Sequence, residues 1–406
     1  MRILLLDFIK KRPWLDLDNG ELCGILKKYE IIVEWITQAD QQRAYAALNE
    51  CGFDFAIIHV EHQGIRQALE LLPLLKKIEK RIIIFGYAVN FHEKLKGLTN
   101  SIPGDNIDGV IRVLNKLTSA KPHICRNVLK GSDFSPLPIK SIFNYPIRYS
   151  KGCENFCPYC EKSLELGKEY RQADEFEAEL KYAIEHYSIH SLSFMDSSLL
   201  GGNGNHFLQD ILPILKKYRI PWRSNGVTLT SLHESIIPEL KQSGCYLLSI
   251  GIEHYDPTVC VGKHVDKLAL EKMVNCLHQN GICSIGFYLT GLQNDTLEKS
   301  LYSLEQIKKS VIDIKIFASA VALPGTRLWE YVKENGRFLC GIEDDYPDHK
   351  QGIQFETPEY PRADKEIFIR LTEQLRLHSQ ETVERLTREL GGPWSVSVKG
   401  NIQWKE

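Results

Sequence analysis

Five apolar runs punctuate the first ~118 residues: ILLLD (3–7), EIIVEWI (30–36), FDFAIIHV (53–60), RIIIFGYAV (81–89) and IDGVIRV (107–113). Most are continuously apolar rather than alternating, the mark of strands buried on both faces. Segments of helical period lie between them, for example ALELLPLLKKIEK (68–80). Strand and helix in alternation predict a five-stranded parallel sheet covered on both sides. Residues 119–142 break the rhythm with three prolines and read as a linker.

A second series comes next. Its strand candidates are YPIRY (145–149), HSLSFMD (190–196), IPWRSN (220–225), YLLSIGI (246–252), ICSIGFYL (282–289) and IDIKIFAS (312–319). Helical patterns such as FEAELKYAIEHY (176–187) and LEKSLYSLEQIKKS (297–310) separate them. Six βα units are fewer than the eight of a closed barrel, so an open partial barrel is expected, with its chemistry at the C-terminal rim of the strands. From residue 336 onward the chain turns mainly helical, with KEIFIRLTEQLRLHSQETVERLTREL (365–390) as one amphipathic helix and VSVKGNIQW as a short terminal strand. The expected class is α/β: a Rossmann-like parallel-sheet domain (1–118), a linker (119–142), a partial (β/α)6 barrel of TIM type (143–335) and a helical C-terminal segment (336–406).

Composition narrows the function. A formal net charge of -2 supplies no basic field for nucleic acid. The N-terminal apolar run is short for a secretion signal, and no run reaches the ~18 residues of a membrane span. A cytoplasmic protein without membrane or nucleic-acid partners is expected. The eleven cysteines include eight scattered ones, of which Cys23, Cys245, Cys276 and Cys283 read as small buried hydrophobes.

The other three cluster in KGCENFCPYCEKS (151–163), as Cys153, Cys157 and Cys160. This loop comes directly after the first barrel strand. Zinc sites commonly use two C-x2-C pairs, and no second pair is near. A [4Fe–4S] cluster takes four thiolates, so three would leave one iron open.

C-x3-C-x2-C at this place resembles the radical S-adenosylmethionine (SAM) superfamily. Four further segments resemble that family in order: FMDSS (194–198), SIGIEH (249–254), GFYLTGLQNDT (286–296) and ALPGTRLW (322–329). The resemblance spans residues ~143 to ~335. It implies that Cys153, Cys157 and Cys160 hold a [4Fe–4S] cluster whose open iron takes SAM. Reductive cleavage would then give methionine and a 5′-deoxyadenosyl radical. It further implies that Tyr159 packs near the adenine, that Glu253 contacts SAM, that Asp196 reaches SAM or substrate, and that Arg223 meets the SAM carboxylate or an anionic substrate. Thr290 and Gly291 would line the adenine site through their backbone. The plain alternatives are a helix cap for Asp196, an ion pair with Arg223 or Lys263 for Glu253, and turns for the glycines. Two departures stand out. The family's G-G-E is replaced by YRQADEFEAEL (170–180), and His254 stands where the fourth-strand serine is usual.

A Rossmann-like domain ahead of such a barrel resembles the cobalamin (B12)-binding subgroup, here in degenerate form. FGYAVNFHEKL (85–95) sits at that subgroup's glycine turn, DNIDGVIRV (105–113) resembles its last strand and DFSPLPI (133–139) its linker. A D-x-H-x-x-G after the first strand is missing, which leaves cobalamin binding open. The pair His59 and His62 reads as surface or capping residues. The leading expectation is a radical SAM enzyme acting on a small molecule or peptide without cobalamin, with flavodoxin or ferredoxin as electron donor. The alternatives are a cobalamin-dependent methyltransferase acting on carbon or phosphorus, 3-amino-3-carboxypropyl transfer, and a non-catalytic iron–sulfur or zinc protein. Cys260, Cys283 and Cys340 are candidate hydrogen-donor thiols, with Cys340, in a loop, first.

Overall fold

The structure is a computed structural model. It describes residues 1–8, 15–37, 41–61, 64–118, 123–125, 131–137, 139, 141–164, 167–201, 206–341, 352–373, 382, 384, 386, 394–396 and 402–404. Two compact units divide the chain. One holds Met1–Ile142 with Glu177–Ile189; the other holds Phe143–Phe176, His190–Cys340 and the described residues after Pro347.

The first unit is a parallel sheet. Its elements run β1 (Arg2–Phe8), α1 (Leu17–Lys28), β2 (Ile32–Thr37), α2 (Gln41–Glu50), β3 (Phe55–Val60), α3 (Ile65–Lys77), β4 (Ile82–Gly86), α4 (Glu93–Lys96), β5 (Ser101–Pro103) and α5 (Ile107–Thr118). The strand order is β2-β1-β3-β4-β5. The central strands are buried on both faces, as in Ile57, Ile58, Ile83 and Ile84, which explains their unbroken apolar runs. Asp16 caps α1 by accepting from the Asn19 N–H at 2.8 Å.

One expectation is corrected here. IDGVIRV lies in α5, not in a strand. Ile107, Val110, Ile111 and Leu114 are its buried residues, at the i, i+3, i+4, i+7 spacing of a helix face. Asn106 Oδ1 accepts from the Gly109 N–H at 2.8 Å and starts the helix. The fifth strand is instead the three-residue Ser101–Pro103, at the sheet edge where a proline is tolerated.

The second unit is an open six-stranded parallel sheet. From Ser141 the chain runs β6 (Ser141–Ile147), β7 (Ser150–Gly152), β8 (Lys168–Tyr170), α6 (Ala173–His186, most of which belongs to the first unit), β9 (Ser188–Phe194), α7 (Leu212–Tyr218), β10 (Trp222–Val227), α8 (Ile237–Gln242), β11 (Cys245–Glu253), α9 (Lys267–Gln279), β12 (Cys283–Thr290), α10 (Leu297–Lys309), β13 (Ile314–Ser319) and α11 (Arg327–Asn335). The order β13-β12-β11-β10-β9-β6 is sequential, so the expected partial barrel is present. The strands β7 and β8 form a small antiparallel pair beside it. Thr296 and Thr326 cap α10 and α11 with their hydroxyls.

After the barrel come the paired strands β14 (Arg337–Phe338) and β15 (Phe355–Glu356), then α12 (Arg362–Glu373). The expected helix over 365–390 is described continuously only to Glu373, and most of residues 374–393 lie outside the described residues. The terminal strand is a pair, β16 (Trp394–Val396) and β17 (Ile402–Trp404). No helix among the described residues is long and apolar enough to cross a membrane.

Candidate functional site

The cysteine loop leaves β6 through the short strand β7 and sits at the C-terminal rim of the half-barrel. Two carboxylates fix it. Asp196, just past the end of β9, is buried and accepts three hydrogen bonds: from the Ser150 hydroxyl at 2.7 Å, from the Ser150 N–H at 2.5 Å and from the Tyr149 N–H at 3.2 Å. Burial pushes its pKa up, and these donors pull it back. Glu154, inside the loop, accepts from the Ser198 hydroxyl at 2.6 Å. A Cβ on Gly201 would fall 1.6 Å from that carboxylate, so a larger residue there would displace Glu154 from this position. Lys168, on β8, donates to the Ser198 carbonyl and to the Gly201 carbonyl at 3.2 Å.

The three thiols are close enough to act on one another electrostatically. Burial raises Cys157 and lifts Cys160 to about 11, with the neighbouring sulfurs adding to both shifts. Cys153 Sγ accepts from the Asn155 N–H at 3.4 Å and from Asn155 Nδ2 at 3.5 Å. Three sulfurs in one loop, with amide donors on one of them, form a donor set that could hold a [4Fe–4S] cluster.

The end of β11 faces this loop. Glu253 is buried with φ +64, an uncommon backbone for a non-glycine residue and a recognised mark of strained functional positions. Lys263 Nζ lies 3.3 Å from its carboxylate, and the nearby Tyr159 hydroxyl also favours its charged form. Burial still holds the Glu253 pKa up, against the pull of Lys263. The Lys263 charge also acts on Cys157 and Cys153. Gly262 brings this segment in: a Cβ there would lie 2.9 Å from Cys157 Cα, and its φ is +80. Tyr159 packs against the apolar cluster that includes Val259, Val261, Leu292 and Ala322.

Other candidates take different places. Arg223, on β10, reaches Ser193 Oγ at 3.3 Å, and Asn225 joins the same hydroxyl at 3.2 Å. Glu253 therefore pairs with Lys263, one of its two expected partners. Thr290 turns into a hydroxyl network with Ser300 at 2.8 Å and Tyr360 at 3.0 Å. The Gly291 N–H donates to Asp295 at 2.7 Å. The expected backbone contact with adenine therefore finds this amide already engaged. His254 lies 3.4 Å from the same buried Asp295. Cys283 is wholly buried in the core, and Cys340 Sγ lies 4.0 Å from the Gln354 carbonyl.

Sequence reasoning missed Ser150, Glu154, Asp295 and Lys365. Lys365 is buried against Phe355 and Tyr360, its Nζ 3.7 Å from the Phe355 ring centre and 3.0 Å from that residue's carbonyl. Desolvation lowers its pKa to about 7. It fills the space beside Gly291, where a Cβ would lie 2.9 Å from Nζ. The charged pair Glu253–Lys263, ten residues apart around a turn, was the one signal open to inspection of the sequence.

The first unit carries a second polar cluster, at the C-terminal ends of its strands. His59 lies among Asp16, Glu61 and Asp105, with Asp7, Asp18 and Glu21 also buried in this unit. His59 is buried, not a surface residue as expected; His62 lies outside the described residues. Backbone packs closely at two glycines here: a Cβ on Gly64 would fall 1.8 Å from the Phe8 carbonyl, and one on Gly86 2.4 Å from the Val60 carbonyl. A corrinoid brings an anionic phosphodiester and a broad ring. Buried carboxylates disfavour an anionic phosphodiester beside them, and residues 9–14 and 62–63, which follow β1 and β3, lie outside the described ones.

Residues 147–325 match the radical SAM superfamily. The chain is 27% identical over 195 residues to an uncharacterized methyltransferase, PH0819, of Pyrococcus horikoshii, covering 47% of this chain and 42% of that one. It is 26% identical over 200 residues to the bacteriochlorophyllide d C-12(1)-methyltransferase of Chlorobaculum tepidum, covering 47% and 43%. The matches thus span less than half the length of these relatives. Among solved structures, the radical SAM methyltransferase TsrM of Kitasatospora setae superposes with a TM-score of 0.66 at 13% identity, covering 84% of this chain and 79% of that one. The cobalamin-dependent SAM radical enzyme OxsB gives 0.64 at 14%, covering 92% and 66%. The match makes residues 147–325, which include most of the partial barrel, similar to the radical SAM domain, whose cofactors are a [4Fe–4S] cluster and SAM.

Proposed function

We propose that this chain is a radical SAM enzyme in which Cys153, Cys157 and Cys160 hold the cluster, and that it modifies a small molecule or peptide without cobalamin. The observation that carries the reading is the convergence of three thiols in one loop, tied by Asp196 and Glu154 to the end of β9 and faced by Glu253 at the end of β11 and Lys263 in the loop that follows it. The cluster, when bound, supplies one electron to the SAM sulfonium. The chain's own residues do the rest. Asp196 holds the entrance of the loop in register. Asn155 donates to Cys153 sulfur and tempers its charge. Glu253 and Lys263 offer an acceptor and a cation beside the open side of the loop, suited to SAM's amino and carboxylate groups. Tyr159 gives an aromatic wall on an apolar bed. Arg223, with no carboxylate partner among the described residues, faces an anionic part of substrate. A flavodoxin or ferredoxin would deliver the electron.

A second reading is cobalamin-dependent methyl transfer. The names of the sequence relatives and the fold shared with TsrM and OxsB favour it. The buried carboxylates of the first unit speak against it. Anaerobic reconstitution with iron, sulfide and excess hydroxocobalamin, then desalting, separates the two. The proposal expects a full cluster and no cobalt; about one cobalt per chain would replace it with the methyl-transfer reading.

A further inference from the structure

We propose that His59, Glu61 and Asp105 form a divalent-cation site in the first unit, independent of the cysteine loop. The strand order β2-β1-β3-β4-β5 reverses direction between β1 and β3. In open parallel sheets the crevice at that switch point, beyond the C-terminal ends of the strands, is where ligands bind. His59 is the penultimate residue of β3, Glu61 lies just past its end and Asp105 just past β5. Separate stretches of chain therefore bring one nitrogen and two carboxylates to the place where the topology expects a ligand.

The spacing suits an ion. His59 Nε2 lies 3.3 Å from Glu61 Oε1 and 3.2 Å from Asp105 Oδ1, and all the ligand atoms fall within 4.8 Å of one another. An ion held tetrahedrally by nitrogen and oxygen at 2.0–2.2 Å sets its ligand atoms about 3.3 Å apart. Even with the two oxygens at the 4.8 Å limit, the point equidistant from all three atoms is about 2.4 Å from each, and closer for any shorter separation. Three protein ligands would leave a fourth position for water.

The imidazole is also fixed as a ligand. His59 is 1% exposed and stacks on Phe85 with ring centres 4.4 Å apart and planes 10° apart. Its Nδ1 is buried and has no hydrogen-bond partner. The nearest carboxylate oxygen to it, Asp16 Oδ1, stands 3.7 Å away. Metal-bound imidazoles almost always direct the other N–H at a carboxylate or carbonyl, and an ion on Nε2 would leave Nδ1–H facing Asp16. One histidine with two carboxylates suits a first-row divalent ion such as zinc or manganese.

Zinc is the probe. Holoprotein with its cluster reconstituted is equilibrated with micromolar Zn2+, desalted and assayed for zinc and iron per chain; melting is recorded with and without zinc. The expected result is about one zinc per chain and a higher melting temperature with zinc, with iron unchanged. His59→Gln and Asp105→Asn should each weaken zinc binding at least ~10-fold and remove the melting shift, whatever their own starting stability. Wild-type protein that takes up no zinc, or a His59→Gln protein that shifts with zinc as wild type does, overturns the proposal. Because iron is measured in parallel, failure of this site is distinct from failure of the cluster reading.

Discussion

Asp196 gives the sharpest test of how the cysteine loop is held. Its carboxylate satisfies the Tyr149 and Ser150 N–H groups and the Ser150 hydroxyl, and both residues are almost fully buried. In Asp196→Ala these donors lose their acceptor. A buried donor left without a partner costs about 1–3 kcal/mol, and removing a buried carboxylate returns part of that through its relieved desolvation. A net loss of about 2–4 kcal/mol is expected locally. Asp196→Asn keeps one oxygen for Ser150 but turns an NH2 toward the Tyr149 N–H, so about half the loss is expected there. Hydrogen exchange over residues 145–155 reads this directly. At 1.4 kcal/mol per tenfold, protection should fall about 30- to 700-fold in Asp196→Ala and less in Asp196→Asn, with iron retention falling in the same order. Unchanged protection and iron content in the alanine variant would refute the reasoning.

Three other substitutions probe neighbouring contacts. Gly262→Ala forces a Cβ against Cys157 Cα at φ +80, so iron per chain should drop while the barrel keeps its circular dichroism; full iron retention would argue against that close approach. Lys263→Met leaves Glu253 without its cation and pushes its pKa further up. SAM affinity should weaken roughly 10-fold in calorimetry with the cluster intact, and unchanged affinity would remove Lys263 from the SAM site. Lys365, lowered from 10.5 to about 7, binds its proton more weakly folded than unfolded. Stability should therefore fall as pH drops from about 10 to 7, by up to ~4–5 kcal/mol at 1.36 kcal/mol per unit. Lys365→Met should flatten that slope in urea titrations at several pH values; an identical slope would show that the lysine is not buried neutral.

The fold was legible wherever burial imposed a simple pattern. Runs such as RIIIFG and ICSIGFYL read as largely buried strands, and they form β4 and β12. IDGVIRV misled because its apolar residues are β-branched, yet its buried positions keep the helical period and Asn106 supplies a cap. The three-residue β5 is too short to show any period. In the site, thiol spacing was legible because it is local. The partners that hold the loop were not: Asp196 reaches Ser150 across 46 residues, and Lys365 reaches Gly291 from far along the chain. His59 looked superficial in HVEHQG because Asp16, Phe85 and Asp105, which bury it, come from other elements.

The most direct test of the central claim is cluster-dependent cleavage of SAM. Wild-type and Cys157→Ala proteins are reconstituted anaerobically, reduced with dithionite and given SAM; iron per chain and 5′-deoxyadenosine are then measured. The account predicts about four irons per chain and 5′-deoxyadenosine for wild type, and loss of both in Cys157→Ala. A Cys157→Ala protein that keeps its iron and still cleaves SAM would contradict it.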